Sequence, residues 1–157
     1  MDKRWGGEFF KEELKEKFKK GGEENLTFKR KGGKDFWEVK NEPNEKTISF
    51  RIKSSKSYEK DDGWDGWYRV TEEGLEENES DFWVFCFKEK EEKRHCVIVP
   101  YEEFKSFMKK HGDFSKQFNF GIKLTEDGKL KTIGSVKEDY SDYLDDKGRD
   151  LIKKAFA

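Results

Sequence analysis

A strand-like segment in the first third of the chain carries a lysine that could contact an anion. In Thr47–Ser55, apolar and polar residues alternate, which is the pattern of a β-strand with one apolar and one polar face. The alternation places Arg51 and Lys53 on the polar face, with Lys53 near the end of the strand. A cation at a sheet edge can bind a phosphate group, so the segment predicts a site for a phosphate-bearing partner. A solvated strand face is the ordinary alternative.

The composition predicts a folded domain with an aromatic core. Hydrophobic residues make up only 32% of the 157 residues and charged residues 44%, but the chain has fifteen Phe and five Trp. Each large ring buries on the order of 150–250 Å² when it is packed, so rings can supply most of the core. The length fits a single domain over residues 1–157, with a core over about 4–137 and a C-terminal helix over about 142–156.

The charge is unevenly distributed along the chain. Residues 1–60 have 17 Lys or Arg and 12 Asp or Glu, whereas residues 61–157 have 17 and 23. A partner that carries phosphates is therefore expected to contact the first third. The chain lacks both an apolar run of the roughly 18 residues that span a bilayer and the apolar core of a signal peptide, which predicts a cytoplasmic protein.

Periodicity and turn residues predict the elements that position this strand. A helix with an aromatic stripe is expected over about 4–20, followed by a three-strand meander over 25–30, 35–40 and 47–55. The Asp- and Gly-containing segment 54–66 is expected to be a loop. The later elements are buried strands over 81–87 and 96–99, a helix after Pro100, a hairpin over 118–124 and 130–136, and the terminal helix, with Gly148 as a candidate break.

Two tryptophans and two cysteines stand out in this pattern. Trp64 and Trp67 fall in or beside the expected loop, where they either cap the core or contact a base or another flat ligand. Cys86 and Cys96 face each other across a short turn; buried free thiols are the expectation and a cross-strand disulfide the alternative. His95 has no Cys or Ser nucleophile beside it, so the sequence does not support a catalytic triad.

Taken in order, several short motifs resemble the restriction-endonuclease-like PD-(D/E)XK nuclease superfamily. The motifs that carry the resemblance are Trp5–Phe10 at the start of a helix, Asp35 at the head of a strand, Phe50–Ser55, Asp81–Phe85 and Val97–Pro100. The resemblance implies an α/β fold with a central mixed β-sheet flanked by helices. It also implies that Asp35 binds Mg²⁺ or Mn²⁺, that Lys53 is the catalytic lysine, and that Glu8 supports the metal or its water.

The chain departs from this family at the position two before the lysine. The family has Glu or Gln there, whereas this chain has Arg51, which cannot ligate a cation. Three explanations remain open. Glu38-Val39-Lys40 could supply the motif; Asp35, Glu8 and a backbone carbonyl could hold the metal while Arg51 contacts phosphate; or cleavage could be lost, with Arg51, Lys53 and Lys56 retained as phosphate contacts.

These features lead to the expectation of a DNA-acting protein that is a magnesium-dependent endonuclease, a hydrolase of phosphodiester bonds. A first alternative is a catalytically inactive DNA-binding or modified-base-reading module of a defence system, in which Trp64 and Trp67 stack on a base. A second is a protein-interaction module that docks through its aromatic loop. The resemblance suggests a homodimer or a place in a larger defence complex as the assembly.

Overall fold

The structure, a computed structural model, describes residues 5–20, 25–30, 36–43, 45–55, 58–60, 63–77, 80–89, 93–111, 118–133 and 137–157. The helices in these residues are α1 (Trp5–Lys20), α2 (Glu72–Glu77), α3 (Tyr101–His111) and α4 (Asp146–Phe156), with a 3-10 turn at Ser141–Tyr143. The strands are β1 (Leu26–Arg30), β2 (Phe36–Asn41), β3 (Lys46–Ser54), β4 (Tyr58–Lys60), β5 (Gly63–Val70), β6 (Phe82–Lys88), β7 (Arg94–Pro100), β8 (Phe118–Thr125) and β9 (Leu130–Ile133).

A mixed five-stranded sheet lies at the centre of the molecule. Its strands follow the order β1-β2-β3-β6-β7; β3 and β6 are parallel, and every other neighbouring pair is antiparallel. The parallel pair requires a crossover, and the chain between β3 and β6 supplies it. The predicted meander and the expected central mixed sheet are both confirmed.

Helices α1 and α4 cover one face of this sheet with an aromatic core. Phe10, Leu14 and Phe18 of α1 are buried, which confirms the predicted stripe. The Phe10 ring centroid lies 5.0 Å from that of Phe50 on β3, and Phe18 packs edge-on against Phe156 of α4. The α1 side of the sheet is therefore closed by apolar contacts.

On the other face of the sheet, the described residues form a second apolar core over β6 and β7. Helix α3 and a second sheet, in the order β4-β5-β8-β9, pack there around Phe120. The Phe120 ring lies 4.8 Å from that of Phe85 on β6 and 5.0 Å from that of Phe104 on α3. This packing leaves the β1–β3 half of the same face partly exposed.

The prediction of a loop over 54–66 is wrong, because β4 and β5 lie in this segment. Strand β5 pairs along its whole length with β8, which is distant in sequence, so no local pattern revealed the partner. Gly66 is a close-approach residue rather than a turn residue, since a Cβ there would lie 3.2 Å from Phe87 Cβ and 2.9 Å from the Tyr68 hydroxyl. Its role is to let β5 pack against β6.

Two smaller expectations were tested by the described residues. Cys86 and Cys96 are directly opposite in the sheet, both buried and free, with their Sγ atoms 3.3 Å apart, as the default interpretation predicted. Burial raises the pKa of the Cys96 thiol well above its ordinary value, so its reactive thiolate form is disfavoured. Helix α4 continues through Gly148 without the candidate break.

Within the described residues, no helix combines the length and the apolar character needed to cross a bilayer.

Candidate nucleic-acid interface

Strand β3 carries the predicted cations on the face opposite α1. Ile48, Phe50 and Ile52 are buried on the α1 side. Because side chains alternate along a strand, Arg51 and Lys53 project from the other side, where both are half-buried. The predicted alternation is confirmed.

An aromatic ring of the neighbouring strand underlies both cations. Arg51 is opposite Trp83 in the β3–β6 register, and its guanidinium carbon lies 5.5 Å from the ring centroid. The Lys53 ammonium lies 5.9 Å from the same ring. Arg51 Nη1 also donates a long hydrogen bond, 3.4 Å, to the carbonyl of Gly74 in α2. Cation–π contacts of this kind stabilise a cation.

These cations belong to a larger polar surface on β1–β3. Lys29, Glu38 and Ser49 lie side by side across the three strands, on the face turned away from α1. Asp81, at the start of β6, accepts a 2.9 Å hydrogen bond from the Ser49 backbone N–H. We call this surface the polar half-face; it comprises Lys29, Glu38, Lys40, Ser49, Arg51 and Lys53.

The polar half-face has an excess of positive charge. It holds four cationic side chains, against three carboxylates: Glu38, the adjoining Asp81, and Glu42, whose Oε2 lies 3.8 Å from Lys40 Nζ. Glu38 and Lys40 of the alternative E-x-K motif share this face with Arg51, so the fold brings both versions of the motif onto one surface. A surface of this charge suits a phosphate backbone better than a metal ion.

The two serines after Lys53 have structural partners. Ser54 projects toward α1, where its Oγ accepts a 2.9 Å hydrogen bond from the Gly6 N–H. Ser55 Oγ accepts one from the Trp67 N–H, also at 2.9 Å. The serines thus connect the end of β3 to α1 on one side and to β5 on the other.

The remaining members of the predicted metal site are not brought together by the described residues. Glu8 is exposed on α1, the layer on the opposite side of the sheet from Lys53. Asp35 and Lys56 lie outside the described residues. Among the residues that the structure describes, no three His, Cys, Asp or Glu side chains are grouped closely enough to hold a metal ion.

Trp64 and Trp67 lie on opposite faces of the second sheet. Trp67 is 38% exposed on the outer face and covers Gly121, where a Cβ would lie only 2.6 Å from the ring. Trp64 is half-buried on the inner face, and its indole Nε1 is buried without a hydrogen-bond partner. The two rings therefore cannot stack on one base, and any such contact involves a single ring.

Sequence reasoning missed a polar group that lies beside Trp64. His95, at the start of β7, is only 5% exposed, and its Nδ1 lies 2.6 Å from Asp145 Oδ2. The other oxygen of Asp145 accepts a 2.9 Å hydrogen bond from the Cys96 N–H. Fifty residues separate His95 from Asp145, so no local spacing revealed the pair.

Asp145 adopts a backbone conformation that favours glycine. Its φ is 49° and its ψ is −116°, immediately before α4. Such strain in a non-glycine residue costs on the order of 1–3 kcal/mol and persists only where the surroundings compensate for it. Here the compensating contacts are the hydrogen bonds of the carboxylate to His95 and to the Cys96 backbone.

No protein-family model matches this chain, and no curated protein and no solved structure matches it.

Proposed function

We propose that this protein acts on DNA and that the polar half-face contacts the phosphates of the duplex. The observation that carries the proposal is the pairing of Arg51 and Lys53 on one strand, both held against the Trp83 ring. Two cations that are already ordered lose little side-chain freedom when a phosphate binds. Arg51 adds the planar fork that matches phosphate oxygens, and Lys53 adds a point charge.

The architecture supports a protein of PD-(D/E)XK type. The resemblance implies a central mixed sheet with helices on its faces, and this chain has α1 and α4 on one face and α3 on the other. It also implies a lysine near the end of a central strand, and Lys53 precedes the last residue of β3. A restriction-endonuclease-like fold is thus part of the proposal.

Binding is the function that the geometry of the polar half-face supports best. Arg51 replaces the acidic or amide side chain of the family motif, and its guanidinium lies over Trp83 and contacts Gly74, where it would repel a metal ion and attract a phosphate. A catalytically inactive DNA-binding module accounts for this arrangement directly.

Hydrolysis is the second candidate, favoured by the half-buried Lys53 near the end of β3. In that version Asp35 would hold Mg²⁺ or Mn²⁺, and Lys53 would orient water or stabilise developing charge. Glu8, on the opposite side of the sheet from Lys53, would not take part.

Duplex binding by charge-matched double variants tests the proposal. We expect Arg51→Met with Lys53→Met to weaken binding at least about a hundredfold at moderate salt, since each of the two lost contacts to a charged group is worth on the order of 1.5–3 kcal/mol. Lys19→Ala with Lys20→Ala removes the same charge from exposed positions on α1 and is the control. Equal affinity of the two double variants would contradict the proposal and favour the protein-interaction alternative.

A further inference from the structure

A cleft with both apolar and polar walls lies between the second sheet and the β6–β7 turn. Its volume is about 590 Å³, within the roughly 300–1,000 Å³ range of small-molecule sites. We call it the Trp64 cleft; its main walls are Trp64, Glu89, Lys93, His95, Leu124 and Leu144.

Asp145 holds the His95 ring through Nδ1, and the other ring nitrogen lacks a hydrogen bond. Nδ1 contacts the Asp145 carboxylate, which can only accept a hydrogen bond when ionised, so Nδ1 carries the proton. Nε2, at the other edge of the ring, has no hydrogen-bond partner, and its neighbour is Glu89 Oε1 at 3.5 Å. The imidazole also stacks on Phe87, with centroids 5.2 Å apart and planes 27° apart. Asp145 is thus a positioning residue for the cleft.

Two buried polar atoms of the cleft lack hydrogen-bond partners. Trp64 Nε1–H is a donor only, and His95 Nε2 is an acceptor in the neutral imidazole with a proton on Nδ1. Buried indole N–H groups and imidazole nitrogens normally find partners. One donor and one acceptor, with the Glu89 carboxylate beside the acceptor, therefore indicate a ligand that has complementary groups on one edge.

We propose that the Trp64 cleft binds a nucleobase that carries an exocyclic amino group. The amino group would donate to Glu89 and His95, and a ring nitrogen or carbonyl oxygen of the base would accept from Trp64 Nε1–H. Adenine, cytosine and guanine have such an edge, whereas thymine has no amino group. Leu124 and Leu144 supply apolar walls for the rest of the ring. The base comes from a free nucleotide or from an unpaired nucleotide in DNA, and only the second source rests on the proposed function.

The position of the cleft supports this assignment. Strands β3 and β6 are parallel, and Lys53 is opposite Phe85, two residues before Phe87. The β6–β7 turn that supplies Glu89 and Lys93 therefore follows the end of β6 at the edge of the sheet where β3 also ends. Ligands of α/β proteins often bind beyond the carboxyl ends of parallel strands.

Nuclear magnetic resonance of the five indole N–H groups tests the inference, because the Trp64 signal can be assigned from Trp64→Phe. AMP, CMP, GMP, dTMP and ribose 5-phosphate are titrated separately into the whole chain. We expect AMP, CMP or GMP to shift the Trp64 indole and His95 ring signals in a saturable manner. We expect dTMP to bind at least about tenfold more weakly, because the amino group's hydrogen bonds to Glu89 and His95 are lost, and ribose 5-phosphate to leave both signals in place.

Variants separate the cleft from the rest of the second sheet. Trp64→Phe and His95→Gln should each raise the dissociation constant of the best nucleotide about tenfold. Trp67→Phe, on the same strand but the outer face, is the matched control and should leave it unchanged. The other four indole signals report whether each variant keeps the fold.

A single-stranded oligonucleotide distinguishes the two sources of the base. Tighter binding of the oligonucleotide than of its mononucleotide identifies an unpaired nucleotide, and equal binding identifies a free nucleotide. The inference is overturned if no nucleotide shifts Trp64 and His95, if ribose 5-phosphate shifts them equally, or if Trp64→Phe and His95→Gln bind normally. If duplex binding depends on Arg51 and Lys53 but no nucleotide binds, this inference alone is overturned. Nucleotide binding in a protein with no affinity for duplex would overturn only the proposed function.

Discussion

The Arg51 guanidinium lies 5.5 Å from the centre of the Trp83 ring, directly across the parallel junction of β3 and β6. This contact joins the surface proposed to bind phosphates to the buried core of the sheet, since Trp83 is only 1% exposed. The cation is therefore held by the core. Its position depends on packing and on the sheet register, and a flexible surface arginine would lack this constraint.

Nuclease assays on three single variants separate hydrolysis from binding. If the protein cuts duplex DNA with Mg²⁺ or Mn²⁺, Asp35→Asn and Lys53→Met are expected to abolish cleavage while leaving the circular dichroism spectrum unchanged. The first removes a charge that attracts a metal ion, and the second removes a cation while keeping most of the apolar stem.

Arg51→Glu is the informative third variant, because it restores the acidic position of the family motif. Cleavage that appears or rises only in Arg51→Glu would identify the natural protein as a binding module. Cleavage by the natural protein together with an inactive Arg51→Glu would identify an arginine version of the motif. If no variant cuts with either metal while all bind duplex, the hydrolytic candidate is eliminated.

Gly148→Ala is expected to destabilise the protein, although alanine favours a helix more than glycine does. A Cβ at this position would lie 2.4 Å from the Tyr143 carbonyl oxygen and 2.8 Å from Ile98 Cβ. Such overpacking typically costs about 1–3 kcal/mol, more than the gain of about 1 kcal/mol in helix propensity. Urea unfolding measures the change. The exposed Lys154→Ala in the same helix should change stability by less than about 0.5 kcal/mol, and an equally stable Gly148→Ala would show that α4 does not pack this closely.

The contact between α1 and α4 is expected to make stability depend on pH. Lys17 Nζ lies 2.6 Å from Asp150 and 3.1 Å from Asp146. The hydrogen bond to Asp150 is the main cause that raises the pKa of Lys17, and the hydrogen bond from Lys17 lowers the pKa of Asp146. Since Asp146 is 69% exposed, solvent screens the pair, and we expect Lys17→Met to cost about 1 kcal/mol at most at pH 7.

The stability that this contact contributes is lost at both ends of the pH range, for a different group at each end. The lowered pKa of Asp146 contributes stability above its unfolded value of roughly 3.9, and this contribution is lost as pH falls through the folded pKa. The raised pKa of Lys17 contributes stability below roughly 10.4, which is lost as pH rises through the folded pKa. The natural protein and Lys17→Met should therefore differ in urea midpoint at pH 7 and converge as the pH falls through the folded pKa of Asp146. A difference that persists after Asp146 is fully protonated would assign the effect to the aliphatic stem of Lys17.

Local sequence patterns predicted the elements in which buried and exposed residues recur at regular spacing. The stripe of Phe10, Leu14 and Phe18 and the alternation around Phe50 and Ile52 each mark one buried face, and the structure places both in the same core. The pairing of Cys86 with Cys96 was also predictable, because a short turn joins their strands.

The second sheet and the Trp64 cleft could not be predicted in the same way. Strand β5 is stabilised by β8, and His95 is oriented by Asp145, so both depend on partners about 50 residues away. Gly66 favoured the prediction of a loop where β5 begins, although this glycine serves the close packing of β5 against Phe87. Contacts between distant segments leave no periodic signal in either segment alone.

The salt dependence of duplex binding tests the central claim most directly. Each phosphate neutralised by a Lys or Arg contributes about −0.9 to the slope of log affinity against log salt. Loss of two contacts in Arg51→Met with Lys53→Met should therefore make the slope less negative by about 1.8, whereas Lys19→Ala with Lys20→Ala should keep the natural slope. A natural protein that binds duplex with an unchanged slope in both double variants would contradict the claim that the polar half-face contacts DNA.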